Sequence, residues 1–143
     1  MSTSPLILHA TTIAAAGQGA LISGASGSGK SSLALQLIAL GAQLVSDDRT
    51  QIERDGDRLI ASVPTSISGV IEARGIGILR ATAAGPTALS VIIDLDQTEA
   101  ARFPPLRHRS VLDVALPLLH KVENSAWPAA LLQYLTAGRT DPT

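Results

Sequence analysis

The sequence predicts a single α/β domain: a mixed sheet with hairpins and one buried helix. Two observations carry that class. The first is the loop Gly24-Ala25-Ser26-Gly27-Ser28-Gly29-Lys30-Ser31, between the strand-like Ala20-Leu21-Ile22 and the helix-like run Ser32 to Leu40. Strand, glycine-rich loop and helix in that order form the phosphate-binding pattern G-x-x-x-x-G-K-[ST]. The second is a series of short β-branched and apolar runs bounded by turn signals, of which Asp55-Gly56 is a strong hairpin signal. With 143 residues, 45% of them hydrophobic, the chain can bury one core and is too short for two. Residues 1–137 read as that domain and 138–143 as a disordered tail.

Taken in order, Leu6 to Ala14 is one β-branched, apolar strand carrying His9, and Gly17-Gln18-Gly19 turns it into Ala20-Leu21-Ile22-Ser23. The glycines of the next loop let successive backbone N–H groups turn inward around phosphate oxygens. Lys30 adds a compact positive charge, and the helix beginning near Ser31 aims its positive end at the same anion. Gly24, Ala25, Ser26, Gly27, Ser28, Gly29, Lys30, Ser31 and the following Ser32 are therefore the nucleotide-binding candidates, with the Ser31 hydroxyl placed to ligate magnesium. In the helix, leucine or isoleucine at 33, 35, 37, 38 and 40 wraps most of the surface, which predicts a largely buried element stopped by Gly41. Gln43-Leu44-Val45-Ser46 is a short strand ending in Asp47-Asp48, and ligands of open α/β sheets lie beyond the carboxyl ends of strands.

A hairpin follows across Asp55-Gly56, and Pro64 to Gly69 is loop or a short helical turn. Val70 to Leu79 mixes Glu72 and Arg74 with Gly75 and Gly77, the mark of a bulge or of backbone approaching a ligand. Thr87 to Asp96 has a buried-strand pattern ending in acids, and competes with Asp47-Asp48 to supply the loop's carboxylate. Phe103 to Arg109 is an irregular basic connection with His108 in an exposed loop, and Val111 to Leu116 is a strand with Pro117 marking an edge or end. Asn124 or Ser125 caps a last helix with Pro128 in its first turn.

Composition excludes several classes. A net charge of −1 with 16% charged residues offers no basic field for nucleic acid. The absence of cysteine removes disulfides, thiolate metal sites and a thiol nucleophile. No run is long enough to span a membrane and Met1 to Pro5 lacks a secretion signal, so a cytoplasmic location is expected. The three aromatic residues, Phe103, Trp127 and Tyr134, lie far along the chain from the loop. Recognition through phosphates and metal, with weak base selectivity, is the consequence.

In combination, His9, Gly24 to Ser31, the segment Leu37 to Asp48 and Ile71-Glu72-Ala73-Arg74-Gly75-Ile76-Gly77-Ile78 resemble the catalytic domain of HPr kinase/phosphorylase, over about Leu8 to Leu79. The resemblance implies a P-loop kinase domain of the HPr kinase and phosphoenolpyruvate carboxykinase type, without the family's separate N-terminal domain. It implies ATP- and Mg2+-dependent phosphorylation of a serine on an HPr-like phosphocarrier protein, phosphorolysis by inorganic phosphate, and a role in a bacterial phosphotransferase system. By resemblance, Lys30 holds phosphates, Ser31 and Glu72 ligate Mg2+, His9 with Asp47 and Asp48 serves the acid/base step, and Arg74 neutralises charge. Nothing in the sequence chooses between Asp47 and Asp48, and the homo-oligomeric state stays open. Past Leu79 the match thins: Val114 to Leu119 stands where the family's basic, glycine-containing loop is sought, and Arg107, His108 and Arg109 are candidates to replace that patch. Two other readings stand beside the kinase: a nucleotide-sensing regulatory module without turnover, and a small-molecule P-loop kinase.

Overall fold

The computed structural model describes residues 4–64 and 68–140. The sheet is built on β9 (Thr87–Thr98) and β3 (Gln18–Ser23), which run parallel. From β3 it continues through β2 (Thr11–Ala15) to β4 (Gln43–Ser46); from β9 it continues through β6 (Arg58–Ser62) and β5 (Thr50–Asp55) to β1 (Leu6–Leu8). β11 (Val114–Lys121) also joins β9, in parallel, and carries β10 (His108–Val111) on its outer edge. A separate hairpin is formed by β7 (Val70–Ala73) and β8 (Gly77–Arg80). Helices α1 (Lys30–Ala39) and α2 (Trp127–Ala137) complete the chain's elements.

Alternation explains how two cores share one sheet. On β3, Ala20 and Ile22 pack with Leu33, Ala34 and Leu37 of α1 and Leu131 and Leu135 of α2, while Leu21 joins the other core with Ile52, Leu59 and Leu116. β9 is buried on both faces, which is why its apolar run is continuous rather than alternating. A register shift opposite Gly19 and Ala20 lets Leu89 and Ile92, three residues apart, fall into the same core.

Several elements differ from expectation. Leu6 to Ala14 is two strands: Ala10 N–H donates to the Leu8 carbonyl at 3.0 Å, and the turn sends β1 to β5 and β2 to β3. Val70 to Leu79 is a hairpin and not a bulged strand, its turn passing through Gly75 at φ 86°. His108 is exposed as expected, but it lies on β10. Leu112 and Asp113, both at positive φ, turn β10 into β11, and that strand runs through Pro117. Pro117 is tolerated because its partner changes there: Leu118 N–H bonds the Arg107 carbonyl, and from Leu118 onward β11 pairs with β9. α1 buries a narrower face than its composition implies, leaving Leu40 48% exposed. Gly41, at φ 112°, does end it: Gly41 and Ala42 N–H groups return to the Ile38 and Leu37 carbonyls in a Schellman motif.

The expected Pro64 to Gly69 turn and 138–143 tail fall partly outside the described residues.

Candidate active site

The loop between β3 and α1 owes its path to close approach. A Cβ on Gly24, at φ 154°, would come within 2.5 Å of Ser28 Oγ and 3.2 Å of Leu95 Cβ. Gly29, at φ 101°, turns the chain into α1 without a side-chain cap, which leaves the first helical N–H groups facing the loop. Lys30 is buried, and its Nζ donates to the Gly24 and Ala25 carbonyls at 2.9 and 3.1 Å, bracing the loop from below.

The two aspartates after β4 part company. Asp47 is a hub. Its Oδ1 accepts from Ser31 Oγ at 2.6 Å and Thr11 Oγ1 at 3.0 Å, and its Oδ2 accepts from the Glu72 backbone N–H at 2.9 Å. One carboxylate thereby ties the first turn of α1, strand β2 and hairpin β7–β8 together. Asp48 takes left-handed backbone, φ 67°, anchored by its N–H on Thr11 Oγ1 at 3.1 Å. A non-glycine residue held there costs of the order of 1 kcal/mol and is tolerated best by Asp and Asn. The turn separates the neighbouring carboxylates, and Asp48 lines an open cleft of about 310 Å³ with Ser26, Gly27, Gly29, Lys30, Ser31, Ser32, Glu72 and Arg74. Among the described residues, the side chains of Asp48, Glu72 and Arg74 have no hydrogen-bond or ion-pair partner.

Most sequence candidates therefore meet in one cleft. His9 does not line it: it is exposed in the β1–β2 turn, two residues before Thr11. Arg107 and Arg109 supply no free basic patch. Arg107 grips Glu99 through Nε at 3.2 Å and an outer nitrogen at 3.1 Å, holding that carboxyl below its ordinary range. Arg109 pairs with Asp94 at 2.7 Å and reaches Ser23 Oγ at 3.4 Å. Burial pushes the Asp94 carboxyl up, but the Arg109 and Asp96 N–H hydrogen bonds, with the charges of Arg109 and His120, bring it below its ordinary value. Val114 to Leu119 belongs to a paired strand, not to a loop.

Asp96, one of the acids ending the strand that competes with Asp47-Asp48, also reaches the loop. Both its carboxylate oxygens lie 3.0 Å from Ala25 N, which donates to them at the entrance of the loop. The available signal was that β9 ends in acids; what was missing was that β9 lies directly beside β3.

Comparisons with known proteins place the chain in a family. The family described as "HPr Serine kinase C-terminal domain" matches residues 2–100. The HPr kinase/phosphorylase of an Exiguobacterium species is 35% identical over 133 residues, covering 83% of this chain and 43% of that protein. That of Geobacillus thermodenitrificans is 36% identical over 125 residues, covering 78% and 40%. The chain thus spans about two-fifths of the length of these relatives. The solved HPr(Ser) kinase/phosphatase of Coxiella burnetii superposes with a TM-score of 0.76 at 26% identity, over 92% of this chain and 88% of that one. The likeness extends well past Leu79, and the chain belongs to the HPr serine kinase C-terminal domain family.

Proposed function

We propose that this domain transfers the γ-phosphoryl group of ATP to a serine of an HPr-like phosphocarrier protein, as a cytoplasmic regulatory kinase of a bacterial phosphotransferase system. The observation that carries the reading is the division of labour between adjacent aspartates. Asp47 is fully engaged as an acceptor, whereas Asp48 stands partnerless in the cleft that also holds Lys30, Glu72 and Arg74.

The donor set fits Mg2+. Ser31 gives its hydroxyl hydrogen to Asp47, leaving its oxygen lone pairs available, and the Glu72 carboxylate lines the same cleft. Hard oxygen ligands in small number, completed by waters and phosphates, are what this ion takes. An ion held there by Ser31 and Glu72 would supply positive charge against the phosphate oxygens. Lys30 and the N–H groups of Gly27 to Ser31 hold the phosphates, and Arg74 balances charge on the moving group. Asp48 accepts the serine hydroxyl proton as that oxygen bonds to phosphorus and ADP leaves; in phosphorolysis the protonated acid returns it while inorganic phosphate attacks.

The test is incubation with γ-labelled ATP, Mg2+ and the cognate HPr-like protein. Label on a serine is expected; nucleotide binding with no label on that protein contradicts the proposal. One observation favours a second reading, a nucleotide sensor without turnover: Arg107 and Arg109 are neutralised by Glu99 and Asp94 and cannot stand in for a basic loop. ATP-dependent partner binding without phosphotransfer would select it.

A further inference from the structure

A second cleft, of about 480 Å³, shares Gly29 and Ser32 with the first and opens between α1 and the segment joining β11 to α2. We infer that it receives the base and ribose of the nucleotide, with the Trp127 indole as its aromatic wall; the inference rests on the reading of the loop as a nucleotide phosphate site.

The two clefts differ as the two ends of a nucleotide differ. The first presents Lys30, Arg74 and two carboxylates. In the second, Leu33, Leu95, Trp127 and Pro128 supply apolar surface, and serine, Gln36 and Asn124 side chains make much of the remaining lining polar. Its one cation, Lys121, is paired with Glu123 at 3.4 Å, so the cleft is no second anion site. An indole and apolar side chains beside hydroxyl and amide groups suit a flat heteroaromatic ring joined to a polyhydroxyl sugar, and the volume is in the usual range for small-molecule sites.

The fold explains why sequence distance misled. Strands β3, β9 and β11 are mutually parallel, so the segment after β11 emerges at the same sheet end as the glycine-rich loop after β3. Trp127, the first residue of α2, arrives beside the loop although almost a hundred residues separate them. It is partly buried against the α1–α2 core, which holds the indole in place before any ligand arrives. An aromatic platform therefore does exist, and base binding is expected to add affinity beyond the phosphates.

Trp127 is the only tryptophan, so its emission reports this cleft alone. The whole chain is titrated with ATP and with inorganic triphosphate, both with Mg2+, following emission and heat. ATP is expected to change the emission and triphosphate to bind without doing so. Trp127→Leu should weaken ATP about tenfold while leaving triphosphate unchanged, and Trp127→Phe should retain most of the ATP affinity. Calorimetric ATP binding with unchanged emission, and equal ATP affinity in wild type and both variants, would overturn the assignment while leaving the phosphate site intact. Failure of both ligands to bind would instead overturn the nucleotide reading itself, and this inference with it.

Discussion

At the scale of single residues, the informative contrast is between two neighbours with the same side chain. Asp47 accepts three hydrogen bonds from three elements, and Asp48 accepts none among the described residues. Asp48→Asn is therefore expected to preserve folding and nucleotide affinity while lowering phosphotransfer ~10²–10⁴-fold, the usual contribution of a general base. Asp47→Asn should lower thermal stability and Mg2+-dependent nucleotide affinity together, because it loosens Ser31 and the β7–β8 hairpin at once; calorimetry and thermal melts separate the two patterns. Asp94 makes a different prediction. Its folded carboxyl lies below the ordinary value, so its ion pair stabilises the protein above the unfolded pKa, and that stability is lost as pH falls through the depressed folded value. Asp94→Asn should flatten the acid limb of a plot of Tm against pH relative to wild type, leaving the shape near neutrality unchanged.

At the scale of elements, the strand, loop and first helix were legible because local chemistry dictates them. Gly24 meets Ser28 and Leu95 too closely for any side chain, and Gly29 and Gly41 bound α1 through conformations that glycine adopts freely. Gly24→Ala is expected to cost ~1–3 kcal/mol by straining the loop, seen as a Tm lowered by several degrees and a weakened response to nucleotide. Features set by long-range pairing were not legible. Whether Leu6 to Ala14 is one strand or two depends on β5 standing ready to take β1. Pro117 marks a strand edge or end in the sequence, and only the exchange of β10 for β9 as partner shows how the strand passes through it. The ion pairs of Arg107 and Arg109 join residues 8 and 15 positions away in the chain, and nothing in that basic run announces them.

At the scale of the whole molecule, one end of the main sheet and a separate hairpin gather the site. The β3 loop, the β4 aspartates and the β7–β8 hairpin meet around Asp47, while β9 and β11 deliver Asp96 and Trp127 to the same end. The site is cooperative in its assembly: no one element holds more than a part of it. The chain belongs to the HPr serine kinase C-terminal domain family and spans about two-fifths of its longer relatives. What distinguishes serine phosphotransfer from nucleotide sensing is whether the bond to phosphorus is made. The direct measurement is the mass of an HPr-like protein after incubation with ATP and Mg2+, comparing wild type with Asp48→Asn at nucleotide concentrations that saturate both. Wild type should add one phosphoryl group to a serine and the variant should do so at least ~10²-fold more slowly; an unmodified partner with saturated wild type, or equal rates for the two proteins, would contradict the assignment of this cleft.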